Sequence, residues 1–227
     1  MMEIKVIGIG GIGCALLPFL ARYLNYRGER VRITLIDGDE FQRSNADRQA
    51  FGTLGNKAKV KAAELAREFE GLSFRAVPEY ITETNIARHL QEGDTILLAV
   101  DNHKTRKLVS DYCEKLTAMA LISGGNDFTD GNVQIHIRQG GRDRTAPITR
   151  FHPEIRDPQD RSPAEMSCEE LMERGAPQLL FTNLTIASAM LNAFYSTCEE
   201  KLQYGEVYLD IIEGKSNPLK REGERDP

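Results

Sequence analysis

The hexapeptide Gly8-Ile9-Gly10-Gly11-Ile12-Gly13 lies between an apolar run, Glu3–Gly8, and a segment where Ile12, Ala15, Leu16, Phe19, Leu20 and Tyr23 recur at helical spacing. No other feature constrains the chain as much. A G-x-G-x-x-G stretch joining a strand to a helix allows a tight turn and close backbone approach. The helix start then offers free N–H groups and a positive dipole end to phosphate. Pro18 falls inside the helical pattern, where it removes one backbone bond and predicts a kink. Val31–Ile36 reads as a second strand, and Asp37 directly after it is placed to accept hydrogen bonds from ribose hydroxyls. Together these features predict a nucleotide site. The competing reading is a glycine loop that serves only helix–sheet packing.

Further strands alternate with helices along the chain. A polar connection, residues 37–55, leads to a helix over 56–70. Strand 74–77, a short helix over 82–91 and the nearly continuous apolar strand 95–100 follow. A helix over 104–116 and a strand at 119–123 complete the alternation, which implies a parallel sheet wound by right-handed crossovers. After Gly124-Gly125 the pattern changes. Residues 132–139 alternate apolar and polar as a half-exposed strand does, 151–177 is a proline-rich, charged crossing loop, 178–200 is an apolar helix, and 207–212 is a last strand. The expected fold is therefore α/β, a Rossmann-like doubly wound, mostly parallel sheet with antiparallel strands added in the C-terminal part. Residues 1–213 read as one domain, with a nucleotide-binding core over 1–125 and a sheet extension, crossing loop and helix over 126–213. The charged stretch 214–227 reads as a disordered tail.

Composition narrows the function classes. The chain has 227 residues and a formal net charge of −5, which gives no general attraction for phosphate backbones, so nucleic acid is not an expected partner. No run of about 18 apolar residues predicts a membrane span. Cys14, Cys113, Cys168 and Cys198 form no C-x-x-C pair, so no zinc site is expected, and reduced thiols point to the cytoplasm.

The connection after the second strand separates two nucleotide chemistries. An NAD-dependent dehydrogenase needs little there beyond Asp37. A protein that handles a triphosphate needs positive groups to neutralise phosphate charge and the departing pyrophosphate. Arg48 and Lys57 are the candidates, and Asn45 can donate to a phosphate or ribose oxygen; Lys59 and Lys61 read as a solvated helix face. Asp101 follows strand 95–100, at the sheet edge that carries ligands in such folds. A lone carboxylate near phosphates suits magnesium. Asp101 or Asn102 can alternatively cap the next helix.

The pieces GIGGIG, LIDGDEFQRSNADRQAFG, GNKAKVKAAELA, AVDNHKTRKL and ISGG, in this order over residues 4–125, resemble the ThiF/MoeB adenylyltransferases, which share their fold with ubiquitin-activating enzymes. The resemblance implies ATP and magnesium, and adenylation of the C-terminal carboxylate of a ubiquitin-like or sulfur-carrier protein, or a peptide. It places Gly10, Gly11 and Gly13 at the phosphates and Asp37, with Asp39 nearby, at the ribose. Asn45, Arg48, Gln49 and Lys57 fall at the triphosphate, and Asp101 at the magnesium with Asn102 beside it. It also implies a homodimer in which an arginine from a preceding helix completes the partner's site. This sequence begins almost directly with the first strand, and Arg142, Arg144 or Arg150 are possible substitutes. Cys168 on the crossing loop loosely matches the thioester or persulfide cysteine of many members, although Glu165, Glu169 and Glu170 would raise its pKa. A Rossmann-type oxidoreductase and a catalytically inactive nucleotide-binding partner subunit remain the alternatives.

Overall fold

The computed structural model describes residues 1–166 and 178–223. Five parallel strands form its centre in the order β5-β2-β1-β6-β7: β1 (Met2–Ile7), β2 (Val31–Ile36), β5 (Ser73–Val77), β6 (Thr95–Leu98) and β7 (Met119–Asn126). Beyond β7 the sheet continues antiparallel through β8 (Asp130–Gln139), β10 (Glu206–Asp210) and β11 (Lys215–Leu219). β9 (Arg142–Asp143) pairs with β8, and a separate two-strand ladder joins β3 (Glu40–Phe41) to β4 (Gly55–Asn56).

Alternation along the strands builds two cores. Ile4, Val6, Ile33, Leu35 and Leu97 face α1 (Gly11–Arg27), α2 (Lys57–Glu68) and α6 (Leu180–Cys198). Ile7, Ile36, Ile96, Leu98 and Leu121 face α3 (Ile86–His89), α4 (His103–Cys113) and α5 (Pro153–Arg156). A sheet covered on both faces explains why its central strands read as nearly unbroken apolar runs. α1 ends at Gly28 in the left-handed conformation (φ +67°), and α2 begins at Asn56, whose side chain accepts from Lys59 N.

Two expectations fail here. Phe19 follows the helical spacing of the apolar residues of α1 but is 58 % exposed; Leu17, Ala21 and Leu24 are buried beside Ile12, Leu16 and Leu20. The stripe rotates because α6 packs against α1 from one side, with Tyr23 edge-on to Phe194 and Tyr195. The second failure is the tail. Residues 215–219 form β11 on the edge of β10, and Ala146 N then donates to Arg221 O. Arg221 also donates through Nε to buried Glu206 at 2.7 Å, and Glu206 in turn bonds His152 at 2.6 Å. In residues 214–223 of the stretch, charge marks ion pairing and strand pairing; residues 224–227 lie outside the described residues.

The register positions the site. Ile7 pairs with Ile36 on one side and Leu98 on the other, so Gly8, Asp37 and Ala99 leave the sheet at one level. The chain winds outward through β2 and β5, then returns to the other side of β1 at β6. A crevice opens at such a reversal, at the carboxyl ends of the strands.

Candidate functional site

The glycine loop occupies this crevice, and its four glycines do different things. Gly8 has φ +87°, and a Cβ there would lie 2.8 Å from Ala99 O. A Cβ on Gly13 would lie 2.0 Å from Gly8 O, and one on Gly11 2.2 Å from Asn183 Nδ2. Packing within the protein thus demands three of the four. At Gly10 a Cβ would meet nothing within 4 Å among the described residues, and none of their side chains caps α1 there. The uncapped helix start at Gly10 is where an anion can approach.

Asp37 holds this loop in shape. Its Oδ2 accepts from Ile9 N at 2.5 Å and its Oδ1 from Asp39 N at 2.8 Å, and the residue is buried. Its two oxygens therefore serve the loop, a role that the sequence did not reveal. Burial pushes its carboxyl up to about 6, against the pull of the Lys57 ammonium and with Asp39 adding to the rise. It is ionised at pH 7. Lys57, 6 % exposed, places Nζ 3.1 Å from Asp39 Oδ2, and the Tyr80 hydroxyl donates to Asp39 Oδ1. Asn56 Nδ2 donates to the carbonyls of Asp37 and Asp39, tying the start of α2 to the end of β2.

The other expected residues are distributed around this core. Asn45 lies in a 3-10 turn, Arg43–Asn45, and its Oδ1 accepts from Arg48 Nη2 at 2.7 Å. Arg48 Nε and Gln49 Oε1 are buried, and no partner is found for either among the described residues. Lys59 is exposed as expected. Lys61 is not: it is 5 % exposed, donates to Ala50 O and Glu64, and lies 4.6 Å above the Phe51 ring. Its ammonium clamps the segment after Arg48 to α2. Asp101 stands exposed beyond β6, and buried Asn102 caps α4 by accepting from Thr105 N at 2.8 Å. Cys168, with its neighbours Glu169 and Glu170, lies outside the described residues.

Three contributors escaped the sequence reading. Tyr80 follows β5 at the same sheet edge, and its ring lies where a Cβ on Gly38 would be. Buried Arg106 bonds Val100 O and Gly124 O, joining the ends of β6 and β7 immediately before Asp101. Burial lowers its guanidinium to about 10, and Asp101 leads the acids that oppose this, so it remains charged at neutral pH. Asn183 is one of several polar residues along its helix, with Thr182, Thr185 and Asn192, so the sequence carries no signal that singles it out.

Acidification tests the Asp37 clamp. Its folded-state pKa lies above that of an ordinary carboxylate, about 3.8, so this group favours the fold below that value. The contribution is lost as pH rises through about 6. Anion binding at Gly10 should run the other way. A protonated Asp37 cannot accept from both N–H groups, so affinity for ATP should fall about tenfold per pH unit below about 6. Calorimetric titrations at pH 7.5 and 5.0, with Asp37→Asn as the variant that loses this pH dependence, measure it.

Comparison with known proteins yields a family match, curated relatives and structural neighbours. The model of the ThiF family matches residues 1–196. The adenylyltransferase and sulfurtransferase MOCS3 of Danio rerio is 30 % identical over 144 residues, 62 % of this chain and 30 % of that protein. The tRNA threonylcarbamoyladenosine dehydratase of Haemophilus influenzae is 30 % identical over 140 residues, 60 % of this chain and 52 % of that protein. The chain thus matches 30 % and 52 % of these two relatives' lengths. Among solved structures, E. coli MccB crystallised with ATP superposes with a TM-score of 0.74 at 18 % identity, covering 100 % of this chain and 64 % of that one. MccB with the peptide MccA and AMPCPP gives 0.72, over 97 % of this chain and 65 % of that one. These superpositions show the Rossmann-like fold with its antiparallel extension. Among the described residues, no helix is long and apolar enough to cross a membrane.

Proposed function

The chain belongs to the ThiF family, and on that premise we propose that it is an ATP-dependent adenylyltransferase. Its substrate in this reading is the C-terminal carboxylate of a ubiquitin-like or sulfur-carrier protein, or of a peptide. The observation that carries the reading is buried Lys57, an ammonium held between the glycine loop's acid and the end of β2. A dehydrogenase has no use for a buried cation there. A triphosphate site needs one.

The residues fit ATP as a substrate. The uncapped start of α1 at Gly10 suits phosphate oxygens, and Arg48 has a buried Nε with no partner among the described residues, as a guanidinium awaiting an acceptor would. Asn45 and Asp47 hold its Nη2 and Nη1, at 2.7 and 3.0 Å, so Nε is the nitrogen left without a partner among the described residues. Magnesium would supply further neutralisation of phosphate charge, and Asp101 is the residue to hold it. Magnesium takes one or two carboxylates alongside phosphate and water oxygens, so the lack of any three-residue acidic, His or Cys cluster among the described residues is compatible with it.

The chemistry needs little covalent help. A carboxylate oxygen of the substrate bonds to the α-phosphorus, the bond to the bridging oxygen breaks, and pyrophosphate leaves with that electron pair. A C-terminal carboxylate is ionised at pH 7, so no general base is required. Arg48 and Lys57 hold and neutralise the phosphates, and Arg106 fixes the strand ends that present Asp101.

Exchange of labelled pyrophosphate into ATP tests the reading, with small proteins or peptides ending in Gly-Gly as the carboxylate. Arg48→Ala should lower exchange by about ten- to a hundredfold, and Asp101→Ala should raise the magnesium concentration needed. Exchange unchanged in both variants would remove these residues from the site.

A further inference from the structure

We propose that Asn183 is a phosphate-binding residue of the nucleotide site, donating its Nδ2–H to the phosphate chain seated at the start of α1. The inference deepens the adenylyltransferase reading and rests on it. Asn183 is the fourth residue of α6 and is 0 % exposed, and neither Nδ2 nor Oδ1 has a hydrogen-bond partner among the described residues. The amide lies directly over the glycine loop: a Cβ on Gly11 would be 2.2 Å from Nδ2, 2.6 Å from Cγ and 3.0 Å from Oδ1. Gly11 is the first residue of α1, and its N-cap Gly10 brings no side chain to the helix's free N–H groups.

The fold does not need this amide. The beginning of α6 is fixed by other contacts: Thr182 Oγ1 donates to Phe128 O at 2.7 Å, and Ile186 and Met190 pack where Cβ atoms on Gly124 and Gly131 would go. A buried amide with both ends idle costs stability that a leucine of similar size would not. Its position accounts for the cost. A phosphate at the α1 start supplies the acceptor that Nδ2 lacks, while Oδ1 can accept from a first-turn N–H of the helix. An amide suits both tasks, whereas a carboxylate there would repel the anion. On the Gly10 side nothing among the described residues lies within 4 Å of a built Cβ.

The test is calorimetric titration of the full chain with ATP and with inorganic tripolyphosphate, with no carboxylate substrate present, together with thermal melts. Asn183→Asp should weaken both ligands at least about tenfold, or 1.4 kcal/mol. Asn183→Leu should melt at or above the wild-type temperature and still bind ATP about tenfold more weakly, a combination that a purely structural amide would not produce. Wild-type affinity for ATP in both variants overturns the proposal. So does a loss confined to ATP with tripolyphosphate unaffected, since the amide would then not serve the phosphates. A wild-type chain that binds neither ligand overturns the adenylyltransferase reading itself, a result distinct from any difference among the variants.

Discussion

Replacing Lys57 with methionine is expected to lower pyrophosphate exchange by about 10²–10³-fold while the chain stays folded. Methionine matches the length of the lysine stem, so the apolar contacts of a side chain 7 % exposed are kept and only the charge is lost. Two carboxylates then stand without their cation. Asp39 loses the partner at 3.1 Å, and Asp37 loses the main influence that opposes its burial. The acidic limb of the exchange–pH profile should accordingly move to higher pH than in the wild type, as Asp37 becomes harder to ionise. A lysine that served only the fold would lower the melting temperature and leave the exchange rate of the folded variant at the wild-type level. A profile unmoved in the variant would take Lys57 out of the site.

The largest effect on stability is expected from Gly13→Ala. The added Cβ would lie 2.0 Å from Gly8 O and 3.0 Å from Gly8 C, both backbone atoms. Gly8 cannot yield easily. Its φ of +87° is fixed by the turn, its N donates to Ile36 O at 3.0 Å, and Ala99 O closes it from the other side. The helix would have to move off the sheet, at a cost of about 3 kcal/mol or more. For a chain of this size that lowers the melting temperature by roughly 6–12 °C. Gly10→Ala is the control, because open space receives its methyl. It should melt within about 2 °C of wild type. Equal melting temperatures for the two variants would contradict this division of roles.

The contrast between these glycines shows where sequence reading stops. The parallel core was legible because its strands are buried on both faces and advertise themselves as apolar runs. The glycine motif was legible as a strand–helix junction, but three of its four glycines answer to Ala99, Asn183 and Gly8, contacts that only the folded chain brings together. Lys57, Lys59 and Lys61 are alternate residues within about one helical turn. Which of them faces the site depended on the packing of α2, which buries the first and last and leaves the middle one in solvent. Phe19 fitted a helical stripe that lacked only the direction from which α6 arrives. Asn183 was invisible as a site residue because more than 160 residues separate it from the glycine loop and nothing local signals its neighbour.

The outermost strand, β11, carries a further consequence. Leu219 O accepts from Gly205 N, so it points into the sheet; the neighbouring residue along an extended strand therefore turns its backbone groups outward. That residue is Pro218, which has no N–H to offer, and Lys215 stands exposed on the same strand. An incoming strand would find a missing donor at the middle of its docking line and a charge to desolvate beside it. Pro218 thus guards the margin of a nine-stranded sheet against edge-to-edge aggregation.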